Sequence, residues 1–220
     1  MARLFRGKTK LTMKQIFLSL SVFCLAYLNC AAQSKAQIWS QLNRQTLIDG
    51  LKNSQTALLK ETEGLNELQI HFKPDSSQWS IAEVIEHLGV YEELLYWDLS
   101  NNQYTEERPD LVEKVIGIDS AMIEYATDPN KGQAPFVVQP LGRFQNKEQL
   151  INYFKRYRNE VIKLIQETKT DFRLHFIFRP PDWGIWHLRD LHQYTLLWIA
   201  HTERHLNQIK RIRSNQNFIK

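Results

Sequence analysis

The stretch that constrains this chain most is residues 185–213, which contain neither proline nor glycine and run far longer than a strand. Apolar and aromatic side chains recur within it at helical spacing, at Leu188, Leu191, Thr195, Trp198, Ile209 and Ile212. A stripe of this kind is the core-facing side of an amphipathic helix. The pattern therefore predicts one long helix over the whole stretch.

Two histidines of this helix point to a site. His205 lies on the apolar stripe and His201 lies one turn before it. Side chains four residues apart share a helix face, so we expect both imidazoles to point into the interior. A third partner is needed, and His87, on another predicted helix, is the best candidate. The alternative interpretation is three core histidines that are satisfied by hydrogen bonds.

Three further segments predict long helices: residues 37–63, 80–99 and 147–168. Ser80 and Glu83 have the spacing of a capping box at the start of the second, and Asn146 with Gln149 opens the third. Strand alternation is not convincing anywhere in the chain. Four long helices joined by two irregular crossings predict an all-α fold, a four-helix bundle.

A long irregular insert separates the second and third of these helices. Residues 101–146 contain four prolines, with helical periodicity over residues 111–126 and an extended appearance over residues 134–144. An insert of this length between helices is often a lid or one wall of a binding site.

The N-terminus predicts a cleavable signal peptide over residues 1–32, followed by one helical domain over residues 33–220. A basic start precedes a short apolar run, and Cys30, Ala31 and Ala32 precede a cut before Gln33. Met13 is an alternative start. We therefore expect an exported protein, periplasmic or extracellular, without a membrane span after cleavage. A lipid anchor at Cys30 is the alternative.

Removal of the leader changes the charge of the chain. The leader holds five of the 28 Lys and Arg residues and none of the 24 Asp and Glu residues, so the mature chain has one more acidic than basic residue. This balance gives no support for nucleic-acid binding. Both cysteines also lie in the leader. A metal in the mature chain must therefore be held by histidines and carboxylates.

Two motifs carry a family resemblance. Trp79 and Ser80 followed by EVIEHLGVYEELLYW, and HTERHLNQIK in the last helix, resemble the DinB/YfiT-like superfamily of four-helix bundles over residues 37–213. The resemblance implies that His87, His201 and His205 ligate a metal. Members of the family are described as metal-dependent hydrolases or thiol transferases. Low-molecular-weight thiols are chiefly intracellular, so export weighs against thiol transfer.

Three neutral imidazoles form a facial ligand set with an open coordination position, and zinc or nickel is the divalent ion that we expect. Three polar side chains share the histidine faces and are candidates for contact with a ligand or a bound molecule, although each also fits ordinary packing: Tyr91, Tyr194 and Gln208. Glu203 is two residues after His201 and faces away from it. Glu83 is better explained by its capping role than as a base.

The remaining candidates are weaker. Four side chains in or beside the irregular segments are candidates for a pocket mouth or for simple coverage of a bundle end: Arg143, Phe144, Trp183 and Trp186. The four other histidines are not interpreted as ligands: His71, His175, His187 and His192.

These features predict an exported, DinB-like metal-dependent hydrolase or transferase that acts on a small-molecule substrate. The alternative is a non-catalytic helical module of the cell envelope that binds a metal or another ligand. A metal with an exchangeable coordination position favours the first, and a closed or empty site favours the second. A homodimer is compatible with either function.

Overall fold

The computed structural model describes residues 38–128, 134–179 and 187–219. The predicted signal peptide lies outside these ranges, as do Trp183 and Trp186, so those predictions stay untested. Residues from Ile38 onward form one compact unit. The elements in chain order are α1 (Gln41–Thr62), α2 (Glu67–Ile70), α3 (Ile81–Asn102), α4 (Pro109–Val115), α5 (Asp119–Thr127), a 3₁₀ turn (Phe136–Val138), α6 (Lys147–Glu167), β1 (Phe176–Phe178), β2 (Leu188–Asp190) and α7 (Leu191–Arg213).

The four long helices form the predicted bundle. Helix α3 packs against α6 and α7, and α1 packs against the same two helices, so α1 and α3 lie on opposite corners. Two apolar clusters fill the interior, one built around Leu51 and Leu95 and the other around Ile85 and Leu206. None of the helices in the described ranges is both long enough and apolar enough to cross a membrane.

The helix starts follow from capping side chains. Ser80 accepts a hydrogen bond from the backbone N–H of Glu83, and the Glu83 carboxylate accepts from the N–H of Ser80, so the predicted capping box is present. Asn146 accepts from the N–H of Gln149 at the start of α6, as predicted. These caps satisfy backbone donors that have no partner within the helix.

The last helix is shorter than predicted. It begins at Leu191, because Asp190 forms a capping box with Gln193. Leu188–Asp190 instead pairs as an antiparallel strand with Phe176–Phe178. Strands of three residues are too short to show an alternating pattern, which is why the sequence did not reveal this ribbon.

The insert between α3 and α6 is more regular than predicted. The single helix expected over residues 111–126 is divided into α4 and α5 at Gly117, whose φ of 84° suits glycine far better than other residues. Helix α5 packs against α7, and α4 packs beside the β-ribbon. The extended stretch expected after residue 134 contains one 3₁₀ turn and leads back over α3.

Candidate metal centre

The three predicted histidines come together inside the bundle. His87 projects from α3, and His201 and His205 project from successive turns of α7. One candidate ligand nitrogen from each ring lies within 4.8 Å of the other two. The Nε2 atoms of His201 and His205 are 3.1 Å apart. Within the described residues, this group consists of the three histidines without a carboxylate.

Hydrogen bonds orient two of the rings. His87 Nδ1 lies 2.7 Å from the carbonyl oxygen of Val138, and His205 Nδ1 lies 2.8 Å from the side-chain oxygen of Gln208. Both oxygens can only accept, so both Nδ1 atoms carry the proton and donate it. Protonation at Nδ1 leaves the lone pair of His87 and His205 on Nε2, the arrangement of metal-binding histidines. In His205 this nitrogen also lies 3.4 Å from Arg204 Nη1.

Burial keeps these two rings uncharged. Burial is the main reason that the pKa of His87 falls to about 4 and that of His205 to about 3, and the positive charge of Arg204 contributes to both. Both imidazoles are therefore neutral at pH 7. Metal ligation requires the neutral form of histidine, so burial prepares the rings to bind without first losing a proton.

The chemistry of these nitrogens, and the spacing of the pair on α7, fit a divalent ion. Two imidazole nitrogens bound to one tetrahedral zinc, each at roughly 2.0–2.1 Å, lie about 3.3 Å apart. The 3.1 Å between His201 and His205 is close to that value. Three imidazoles leave at least one coordination position open for water or substrate.

Aromatic side chains form the walls of this site. The ring of Trp79 lies 4.8 Å from that of His87, and the ring of Trp198 lies 5.3 Å from that of His201. Tyr91 contacts His87 and His201 edge-on, with ring centroids 4.7 Å apart in both pairs. Burial raises the pKa of Tyr91 to about 12, so its hydroxyl stays protonated and can donate a hydrogen bond. In the sequence, Trp79 stands out only as the first residue of the motif before α3.

Two polar side chains considered from the sequence have other roles. The Glu83 carboxylate caps α3 and pairs with Lys73 at 2.7 Å, so its role is structural. Tyr194 lies about two helical turns before His201, and its hydroxyl donates a hydrogen bond to Asp98. Glu203 is exposed, as predicted. Among the sequence candidates within the described residues, Tyr91 and Gln208 lie at the histidines.

The other histidines lie apart from the cluster. His192 is buried, and its Nδ1 accepts a hydrogen bond of 3.1 Å from the indole N–H of Trp39. His71 lies at the surface beside Glu67, and His175 contacts Thr105. None of these three joins the cluster, as the sequence predicted.

Glu86 is a functional candidate that the sequence reading missed. Its buried carboxylate accepts hydrogen bonds from the backbone N–H groups of Leu141, Gly142 and Arg143, at 2.8, 3.1 and 3.3 Å, and from the Arg143 guanidinium at 2.6 Å. These bonds fix the position of the segment that includes Val138, whose carbonyl oxygen orients His87. Arg143 therefore acts on the site through its contact with Glu86. Phe144 packs on Tyr153. An acidic residue directly before a core-facing histidine was the only signal in the sequence.

We expect Glu86→Gln to weaken metal binding by about tenfold, the low end of the cost of losing a partner that orients a ligand, because Glu86 acts on His87 only through the segment that carries Val138. An amide places an N–H₂ group against backbone donors, so the segment that carries Val138 loses part of its anchorage. Metal affinity is measured by competition with a chelator. Glu83→Gln, a matched change at the cap of the same helix, should leave the affinity unchanged. Parent-like affinity in Glu86→Gln would contradict this role.

The fold and the cluster define a class, that of four-helix bundle proteins with three histidines converging from two helices. The family model described as the DinB superfamily matches residues 51–209, and the chain belongs to this superfamily. Its structure resembles that of YfiT from Bacillus subtilis, a probable metal-dependent hydrolase with an unusual four-helix bundle topology. The TM-score is 0.59 at 13% identity, over 85% of this chain and 94% of YfiT. A comparison with curated proteins finds no match.

Proposed function

We propose that this protein is a metal-dependent hydrolase or transferase acting on a small molecule, with a divalent ion held by His87, His201 and His205. The observation that carries the proposal is the convergence of three histidine nitrogens within 4.8 Å inside the bundle. The description of YfiT as a probable metal-dependent hydrolase supports it. Zinc and nickel are among the ions that suit an all-imidazole set, and we propose one of these two.

The chain and the ion have separate tasks in this proposal. A divalent ion in the site would polarise a substrate oxygen or activate a water molecule for attack. Val138 and Gln208 hold the rings of His87 and His205 in the orientation that such an ion needs. The Tyr91 hydroxyl, protonated at neutral pH, is available to donate a hydrogen bond to an oxygen that gains negative charge during the reaction.

Metal analysis tests this function. The protein is purified without a His tag and without added metal, and we expect one zinc or nickel ion per chain. In protein reconstituted with Co²⁺, added azide should shift the visible spectrum, because an open coordination position exchanges its ligand. Protein that takes up no metal would contradict the proposal. A stoichiometric ion that does not respond to azide would favour the non-catalytic binding module.

We also propose that the protein is exported after removal of residues 1–32. The support is the basic start, the short apolar run and the small residues before Gln33. N-terminal sequencing of the mature protein should begin at or near Gln33. A mature chain that begins at a lipidated Cys30 would indicate an anchored form. A cytoplasmic protein that retains Met13 would contradict export and bring back the thiol-transferase alternative.

A further inference from the structure

A cavity lies next to His205, one member of the histidine cluster. Its volume is about 440 Å³, and its polar lining consists of Gln78, Arg204, Gln208, Arg211 and Asn215. Two contacts connect it to the candidate metal centre. The side-chain oxygen of Gln208 lies 2.8 Å from His205 Nδ1, and an Nη1 atom of Arg204 lies 3.4 Å from His205 Nε2. A molecule in this cavity would therefore lie beside His205.

The lining of the cavity is cationic. Arg204 and Arg211 lie seven residues apart on α7, so both project from the same helix face. Within the part of the chain that the structure describes, no acidic side chain lines the cavity. The ion pairs found among the described residues do not include either guanidinium. Burial and the positive charge of Arg211 lower the pKa of Arg204, whereas the negative charge of Asp128 raises it.

The amides of the lining also offer donors. The side-chain oxygen of Gln208 accepts a hydrogen bond from His205. The side-chain oxygen of Asn215 accepts one of 2.9 Å from the backbone N–H of Asn217. Each of these two side-chain amides therefore has its amino group available to donate to a ligand. Two guanidiniums and these amino groups are the donors that recognise carboxylates and phosphates.

We propose that this cavity binds the anionic group of the substrate, a carboxylate or a phosphate, through Arg204 and Arg211. This deepens the proposed function, because the anionic group would hold the rest of the substrate against the three histidines. Binding of the anion itself requires the arginines and not the ion. The two proposals can therefore fail separately.

Titration with small anions, followed by NMR, tests the proposal. Inorganic phosphate and acetate are the probes, and acetamide is the neutral analogue of acetate. The protein is titrated as purified and as the His201→Ala variant, in which a metal-bound anion is no longer an explanation. We expect at least one anion to bind in both forms and acetamide to bind in neither. The tighter of the two anions identifies the substrate group.

Charge-removing variants locate the binding. Arg204→Gln and Arg211→Gln should each weaken anion binding by about tenfold or more, since each loses a charge-assisted hydrogen bond. Lys210→Gln removes the same charge from an exposed position on the same helix and should have no effect. Circular dichroism checks that each variant is folded. If neither anion binds in the His201→Ala form, or if Lys210→Gln weakens binding as much as the arginine variants, the proposal is wrong.

Discussion

Replacing His87 with Ala is expected to abolish stoichiometric metal binding while the bundle stays folded. Only the fold brings His87 beside the pair on α7, and two remaining imidazoles hold a divalent ion far less tightly than three. The surrounding core is mainly aliphatic and aromatic, so most of the packing persists. Metal content after dialysis measures the effect, and thermal unfolding followed by circular dichroism confirms the fold. His201→Ala and His205→Ala should give the same result.

His71→Ala is the matched control. This histidine is more than half exposed beside Glu67 and is not part of the cluster, so its loss should leave metal content unchanged. If His87→Ala retained one ion per chain with parent-like affinity, the three-histidine site would be refuted. The interpretation as hydrogen-bonded core histidines would then take its place.

The second large effect is expected at Arg158, which lies fully buried between the two apolar clusters. Its guanidinium forms paired hydrogen bonds with Glu92, at 2.6 and 2.7 Å, and donates to the Leu51 carbonyl and to the hydroxyls of Ser54 and Thr202. These contacts use all five of its N–H donors and join the four long helices. Arg158 is thus the central polar contact of the bundle.

Arg158→Met is expected to lower the free energy of unfolding by about 3–5 kcal/mol, because it leaves the Glu92 carboxylate buried without its cation. Urea denaturation measures the change. The double variant Arg158→Met/Glu92→Leu should recover most of the loss, since replacing a whole buried pair with apolar side chains is often neutral. The Ser54 and Thr202 hydroxyls also donate to carbonyls of their own helices, so both keep a partner.

Arg108→Ala supplies the comparison for this experiment. Arg108 pairs with Asp110 at the surface, at 2.6 Å, and fully exposed pairs contribute little to stability because solvent screens them. A similar loss of unfolding free energy in Arg108→Ala and Arg158→Met would mean that the buried network stabilises the fold no more than an exposed ion pair does. A double variant less stable than Arg158→Met would show that apolar side chains cannot replace the pair in this interior.

Local features of the structure were predictable from the sequence. Ser80 with Glu83, and Asn146 with Gln149, place the starts of two helices within a few residues, because a cap involves only neighbours in the chain. The spacing of His201 and His205 placed both rings on one face for the same reason. The start of α7 was predicted too early. The residues before it, Leu188–Asp190, form a strand only because they pair with residues 176–178, which are not their neighbours in the chain.

The tertiary structure alone decided how distant groups meet. Three such contacts join elements that are far apart in sequence. His87 lies near His201 and His205, Glu86 binds the segment that follows Val138, and Arg158 pairs with Glu92. Periodicity and capping reflect only short-range geometry, and they give no distance between two helices. The sequence therefore determined which side chains face the interior, whereas helix packing determined which of them share a site.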